Sequence, residues 1–148
     1  MIVERFNIHL TEDYLKYYSL LKKWWLDWGW ENPIEPAFLP TRGFIVKENN
    51  KYIYAGFLYA TDSKICIIDF IVSCKEKVDN VNRQECLKFL LKEIEVEAYN
   101  SSFETIFTYL HKDKNSTNLE NIFLEKGFIK TLDKNNNSAD MLNFTKNI

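Results

Sequence analysis

Glycine and proline are scarce, four and three in 148 residues. That excludes a collagen-like or low-complexity chain and leaves room for long regular elements. Cysteine is scarce too. Cys66, Cys74 and Cys86 are odd in number and show no C-x-x-C spacing, so neither a disulfide framework nor a zinc site is expected. The two histidines, His9 and His111, stand at the ends of strand-like runs, far in sequence from a partner cysteine or aspartate. A metal centre or a histidine-activated nucleophile is therefore not expected. Charge of one sign is lacking. A formal net charge of −2 gives no reason to expect nucleic acid or an anionic membrane as partner. No apolar run reaches the roughly 20 residues of a bilayer span. The start MIVERFNIHL has neither the basic region nor the long apolar stretch of a secretion signal. A cytoplasmic protein is the expectation.

Aromatic residues, by contrast, are plentiful at 16%, within a chain that is 46% hydrophobic and 27% charged. These values describe one globular domain, residues 1–148, with a real core. All four tryptophans fall in KKWWLDWGW, at positions 24, 25, 28 and 30.

The hydrophobic pattern predicts β-α-(irregular)-β-β-β-α-β-α-β-β. IVERFNIHL reads as a strand. Thr11 is the expected N-cap of a helix that Gly29 ends. Pro33, Pro36 and Pro40 mark an irregular connection. GFIVKE, YIYAGFLYAT and ICIIDFIVS are strands joined by short turns, Asn49-Asn50-Lys51 and Asp62-Ser63-Lys64. ICIIDFIVS is nearly all apolar, as a central strand covered on both faces should be, and Asp69 is its only charge. A helix from Asn82 to Tyr99, the strand FETIFTYL, the helix NLENIFLEK and a closing hairpin around DKNNNS complete the order. The strand–helix–strand unit predicts that residues 65–73 and 103–110 are adjacent and parallel.

LPTRGFIV, AGFLYATDS, IIDFIVS leading into RQECLKFLL, and the ending LEKGF carry a resemblance over nearly the whole chain. The sequence resembles the GNAT superfamily of acyl-CoA N-acyltransferases, and within it small phage and prophage GNAT-like proteins. The resemblance implies an α+β fold: a mixed, mostly antiparallel sheet of about seven strands, one parallel central pair, and helices on both faces. It implies acetyl-CoA or a related acyl-CoA as donor, lying where the parallel strands splay, with no metal. It also implies an amine acceptor and direct transfer without a covalent intermediate.

Carried onto this sequence, the resemblance gives Asp69 as the general base or water-orderer. Backbone of Phe70, Ile71, Val72 and Ser73 would hold the pantetheine. Asn80, Val81, Asn82, Arg83, Gln84 and Glu85 would cradle the pyrophosphate, with Arg83 the chief charge. That stretch departs from the family pattern because it has no glycine. Its alternative reading is the exposed first turn of an amphipathic helix. The tyrosine that often protonates the leaving thiolate is replaced by Phe123, which cannot donate a proton. Tyr109 or a water would then serve, or the thiolate would leave unassisted. For Asp69 the alternative is a structural hydrogen bond.

Trp28, Trp30 and Glu31 are the expected acceptor wall. Trp25 and Trp28 would be core, and Trp30, beyond Gly29, the residue nearest a ligand. Core packing of the whole cluster, or a homodimer contact, are the other readings. The missing glycines and tyrosine also fit a second function. That is a non-catalytic binding or inhibitory module acting on a host protein, in the host cytoplasm if the chain is phage-encoded.

Overall fold

The computed structural model describes residues 1–112, 116–131 and 141–148. A mixed sheet of seven strands runs through it in the order β1-β2-β3-β4-β5-β7-β6. The strands are β1 (Ile2–Phe6), β2 (Arg42–Glu48), β3 (Lys51–Tyr59), β4 (Ile65–Ser73), β5 (Thr105–His111), β6 (Ile129–Thr131) and β7 (Met141–Asn147). Neighbours are antiparallel except β4 and β5, which are parallel. Helix α3 (Arg83–Asn100) makes the crossover between that pair. The turn expected over Asn49-Asn50-Lys51 is shorter: Asn49 and Asn50, with φ of 51° and 60°, link β2 to β3, and Lys51 already begins β3. Two left-handed residues match the twist of a two-residue hairpin, and asparagine tolerates them better than most. The expected turn DKNNNS lies outside the described residues.

After β1 come α1 (Thr11–Asp13), a π-helical stretch (Tyr14–Tyr18) and α2 (Ser19–Asp27), without a break between them. Thr11 is not the N-cap. Leu10 is, with no side-chain cap bond, because the turn is closed from inside the helix: Asp13 Oδ2 accepts the Asn7 N–H at 2.8 Å. The π stretch lays Tyr17 over Phe6, with ring centroids 4.6 Å apart. The Tyr17 hydroxyl donates to Glu4 at 2.8 Å, beside donors from Tyr52 and Lys16. Burial works against the Glu4 carboxylate, but these hydrogen bonds outweigh it and hold its pKa below the usual range.

The two sheet faces are covered by different helices. Phe57 of β3 packs against Phe6 on the α1–α2 face. Gly56, its neighbour, points the other way; a Cβ there would sit 3.5 Å from Ile94 and 3.7 Å from Leu90 of α3. Helix α4 (Ser116–Glu125) lies beside α3, tied by Lys88–Glu125 at 2.7 Å. Trp25, Ile45, Ile53, Phe57, Ile106 and Phe144 are among the fully buried side chains. Cys66 is buried as expected of a small core residue, and burial pushes its thiol up to about 11. No helix among the described residues is long and apolar enough to cross a membrane.

Three helices end in the same hydrogen-bonded loop, and this accounts for half of the tryptophan cluster. At the end of α2 the Gly29 N–H bonds Leu26 O and the Trp30 N–H bonds Trp25 O, both at 3.0 Å. Gly29 has φ +86°. This is the Schellman arrangement, whose hydrophobic contact here is Trp30 stacked on Trp25 at 6.0 Å. The end of α4 repeats it with Gly127 (φ +89°) and Phe123 against Phe128. The end of α3 repeats it again, with Ser102 (φ +67°) where the others have glycine.

Candidate active site

The β4–β5 ladder stops at Ile68↔Thr108, although β4 runs on to Ser73 and β5 to His111. At the last rung the Thr108 hydroxyl donates to the Ile68 carbonyl at 2.9 Å. Beyond it β4 stays zipped to β3 through Ser73↔Tyr54, and β5 stays zipped to β7 through His111↔Met141. The two strands therefore part, each with one unpaired edge facing a gap. A bulge in β4 lies at the vertex. Asp69 faces Phe57 and Val72 faces Ala55, so Phe70 and Ile71 together oppose Gly56. Phe70 has φ +53°, a strained setting for a bulky residue that bulges at functional strand ends do adopt.

The bulge also sets which backbone groups face the gap. The Cys74 N–H bonds Ile53 O at 2.9 Å, so Cys74 and, by antiparallel alternation, Val72 pair with β3. The backbone N–H and C=O of Ile71 and Ser73 then point to the free edge. Of the four residues expected to hold pantetheine by their backbone, these two have groups available for it.

Asp69 spans the vertex. Its Oδ1 accepts the Phe70 N–H at 2.7 Å, and its Oδ2 accepts the Tyr109 hydroxyl from β5 at 2.9 Å. Burial, with the bond to the Asp69 carboxylate, pushes Tyr109 up to about 12. Burial and the nearby Asp69 charge do the same to Tyr59. Aromatic rings flank the carboxylate on both sides. On the β4 side Phe70 meets Trp30 and Tyr59 at 6.3 and 6.2 Å. On the β5 side Tyr109 meets Phe107 and His111 at 6.5 and 6.4 Å. Tyr59 was not foreseen; its place two residues beyond Phe57, on the Asp69 face, is the signal that could have found it.

The segment between β4 and α3 forms an open concavity over residues 77–84. Asn80 supplies a left-handed turn there, φ +59°, in place of a glycine. Asn82 caps α3, its side chain accepting the Glu85 N–H at 3.2 Å. Glu85 is exposed and pairs with Lys88 at 3.4 Å. Arg83 turns inward. One terminal nitrogen reaches Cys74 Sγ at 3.4 Å and Glu76 O at 3.3 Å; the other reaches Ser73 Oγ at 3.0 Å and the Cys74 carbonyl. Its guanidinium lies 5.5 Å from the centre of the Tyr54 ring. So Arg83 braces the loop around the end of β4.

The tryptophans divide differently from expectation. Trp24 and Trp25 are the buried pair, at 3% and 0% exposure, and Trp28 is 43% exposed. Trp28 is not core: it is the C-cap residue of α2, past the helix's last regular turn. It donates its indole N–H to the Ser73 carbonyl at 2.8 Å, on the gap edge of β4. Trp30 is half-buried between Trp25 and Phe70. Glu31 is exposed. Phe123 is fully buried against Phe128 and Phe144.

No protein-family model and no curated protein matches this sequence. Solved structures do match in fold. The aminoglycoside 6′-N-acetyltransferase from Enterococcus faecium aligns at 12% identity, over 99% of this chain and 97% of that one, with a TM-score of 0.70. A probable acetyltransferase from Staphylococcus epidermidis aligns at 12% identity over 99% and 98%, with a TM-score of 0.67. The ribosomal-protein-S18-alanine N-acetyltransferase from Escherichia coli aligns at 12% identity over 99% and 94%, with a TM-score of 0.66.

Proposed function

The chain has the GNAT acyl-CoA N-acyltransferase fold, and from that premise we propose that it transfers an acyl group, acetyl in the first instance, from acyl-CoA to an amine. One observation carries the reading: β4 and β5 part at a bulge, and a carboxylate sits at the vertex between them. Free strand-edge amides on Ile71 and Ser73 can pair with pantetheine as a further strand would. The N-terminal turn of α3 and the concavity over residues 77–84 offer backbone N–H groups to the pyrophosphate. Arg83 keeps that loop in shape from behind.

The amine nitrogen attacks the thioester carbonyl, and its proton passes to Asp69, directly or through water. The tetrahedral intermediate collapses with loss of the CoA thiolate. The Ile71 N–H is the strand-edge donor nearest the vertex and is suited to polarise the carbonyl. Tyr109 directs its proton at Asp69, so its role is to hold the carboxylate; the thiolate, a good leaving group, departs without it.

A second reading rests on a specific observation. The four terminal N–H groups of Arg83 are committed to the protein itself, and the loop has no glycine. A GNAT fold retained as a binding or inhibitory module fits those facts. Calorimetric titration with acetyl-CoA separates the two. Saturable binding, with thiol release when amines are supplied, supports the enzyme. No heat at millimolar acetyl-CoA removes it and leaves the module.

A further inference from the structure

The gap edge of β4 is not bare. Trp28 reaches it from the last residue of the α2 turn and places its indole N–H on the outward carbonyl of Ser73 at 2.8 Å. That carbonyl is one of the few strand-edge acceptors left for a pantetheine amide. Both groups would donate an N–H to the same outward oxygen, and the bulk of the indole already seated there crowds the second lone pair that a pantetheine amide would need. The rest of Trp28 is built to leave. Its ring is exposed, while Trp24 and Trp25 beside it are buried. Gly29 follows with φ +86°, and a Cβ there would meet nothing within 4 Å. The ring also receives a cation–π approach from Lys75 at 5.4 Å. Lys75 also donates to the Asp27 carbonyl at 3.2 Å. The Trp28 ring itself is thus tied to the end of β4 by one hydrogen bond and one cation–π contact, each of modest strength, while Lys75 on the Asp27 carbonyl and Lys23 on Glu76 tie α2 to the same segment without the ring.

We infer that Trp28 belongs to the acyl-CoA site rather than to the acceptor wall, as a gate on the outer end of the β4 edge. In the free protein it satisfies the Ser73 carbonyl. When acyl-CoA enters, the indole swings out about its own side-chain torsions, the backbone staying held by the loop at Gly29, and a pantetheine amide takes the oxygen. The inference rests on the acyl-CoA reading above, and the test tells the two apart.

Acetyl-CoA is titrated into wild type and Trp28→Phe by calorimetry, with tryptophan emission followed in parallel. Phenylalanine keeps a ring but has no N–H to give the carbonyl. The variant should bind about three- to tenfold more tightly, the worth of one net hydrogen bond. The wild-type emission should shift on saturation, and the shift should be clearly smaller in the variant, which keeps Trp30 beside Phe70 as a reporter. Equal or weaker binding by the variant overturns the gate while leaving the acyl-CoA reading intact. So does a wild-type emission that stays unchanged at saturation. Binding by neither protein overturns the acyl-CoA reading and the gate with it. Denaturation midpoints without ligand complete the test, since a gate predicts no large loss of stability in Trp28→Phe.

Discussion

Asp69 stands where two strands separate, with one oxygen on its own strand and the other on the strand opposite. Asp69→Asn keeps one acceptor, for the Phe70 N–H, and turns its amide N–H toward the Tyr109 hydroxyl, which can accept it, but removes the group that takes the amine proton. Acyl transfer should fall roughly 10²-fold, the scale of a lost general base, with acetyl-CoA affinity little changed. An Asn variant as fast as wild type under steady-state assay would place the base elsewhere. The tryptophans give a second contrast. Trp25→Ala should cost about 3–5 kcal/mol, because the ring is wholly buried. Trp28→Ala should cost about 1 kcal/mol, the worth of one hydrogen bond. Urea midpoints of the two variants check this, and similar losses would mean Trp28 is packed after all. Asp69 was legible in the sequence because a lone charge in an apolar strand has few bland explanations. The inward turn of Arg83 was not, because it depends on carbonyls that only the folded loop brings around it.

Elements were easier to read than single side chains. Residues 65–73 and the parallel partner strand fell where periodicity put them, and so did the crossover helix, because long apolar runs bounded by polar turns leave little choice. What escaped was backbone that departs from its element. The π stretch at Tyr14–Tyr18 and the bulge at Phe70 have no glycine or proline to announce them, and packing across the sheet decides both. The end of α3 is a similar case. Ser102 adopts the left-handed conformation that glycine adopts at the ends of α2 and α4. A side chain there costs about 1–2 kcal/mol, against roughly 0.5–1 kcal/mol of extra backbone entropy for glycine. Ser102→Gly should therefore raise stability by about 0.5 kcal/mol and leave the fold unchanged, read as a higher thermal midpoint. A drop in midpoint would show that the serine side chain contributes something beyond the turn.

For the molecule as a whole, titrating groups set the pH range of stability. Tyr17, Tyr59 and Tyr109 are each pushed from 10.0 to about 12, with burial the largest cause for all three. A folded-state value above the unfolded one favours the protonated form in the native protein. That stabilisation is complete below pH 10 and is lost as pH climbs through about 12. Glu4 runs the other way: held below 4.5, it contributes above that pH and loses its contribution as pH falls through its lowered value. The denaturation midpoint should hold on the alkaline side to about pH 9. There the buried Cys66 thiol, pushed from 9.0 up to about 11, starts to lose its contribution. The midpoint should then fall further with tyrosinate absorbance above pH 10. A midpoint that declines well below about pH 9 would show that other groups dominate. The sheet order has a consequence of a different kind. β7 lies between β5 and β6, so β6 reaches the sheet only through a strand made after it. Until β7 has folded back onto the sheet, β5 can pair with β4, but its far edge, running through the buried Ile106, Thr108 and Leu110, has no partner. A chain caught at that stage presents a sticky strand to its neighbours, and the rate at which β7 docks governs how long the hazard lasts.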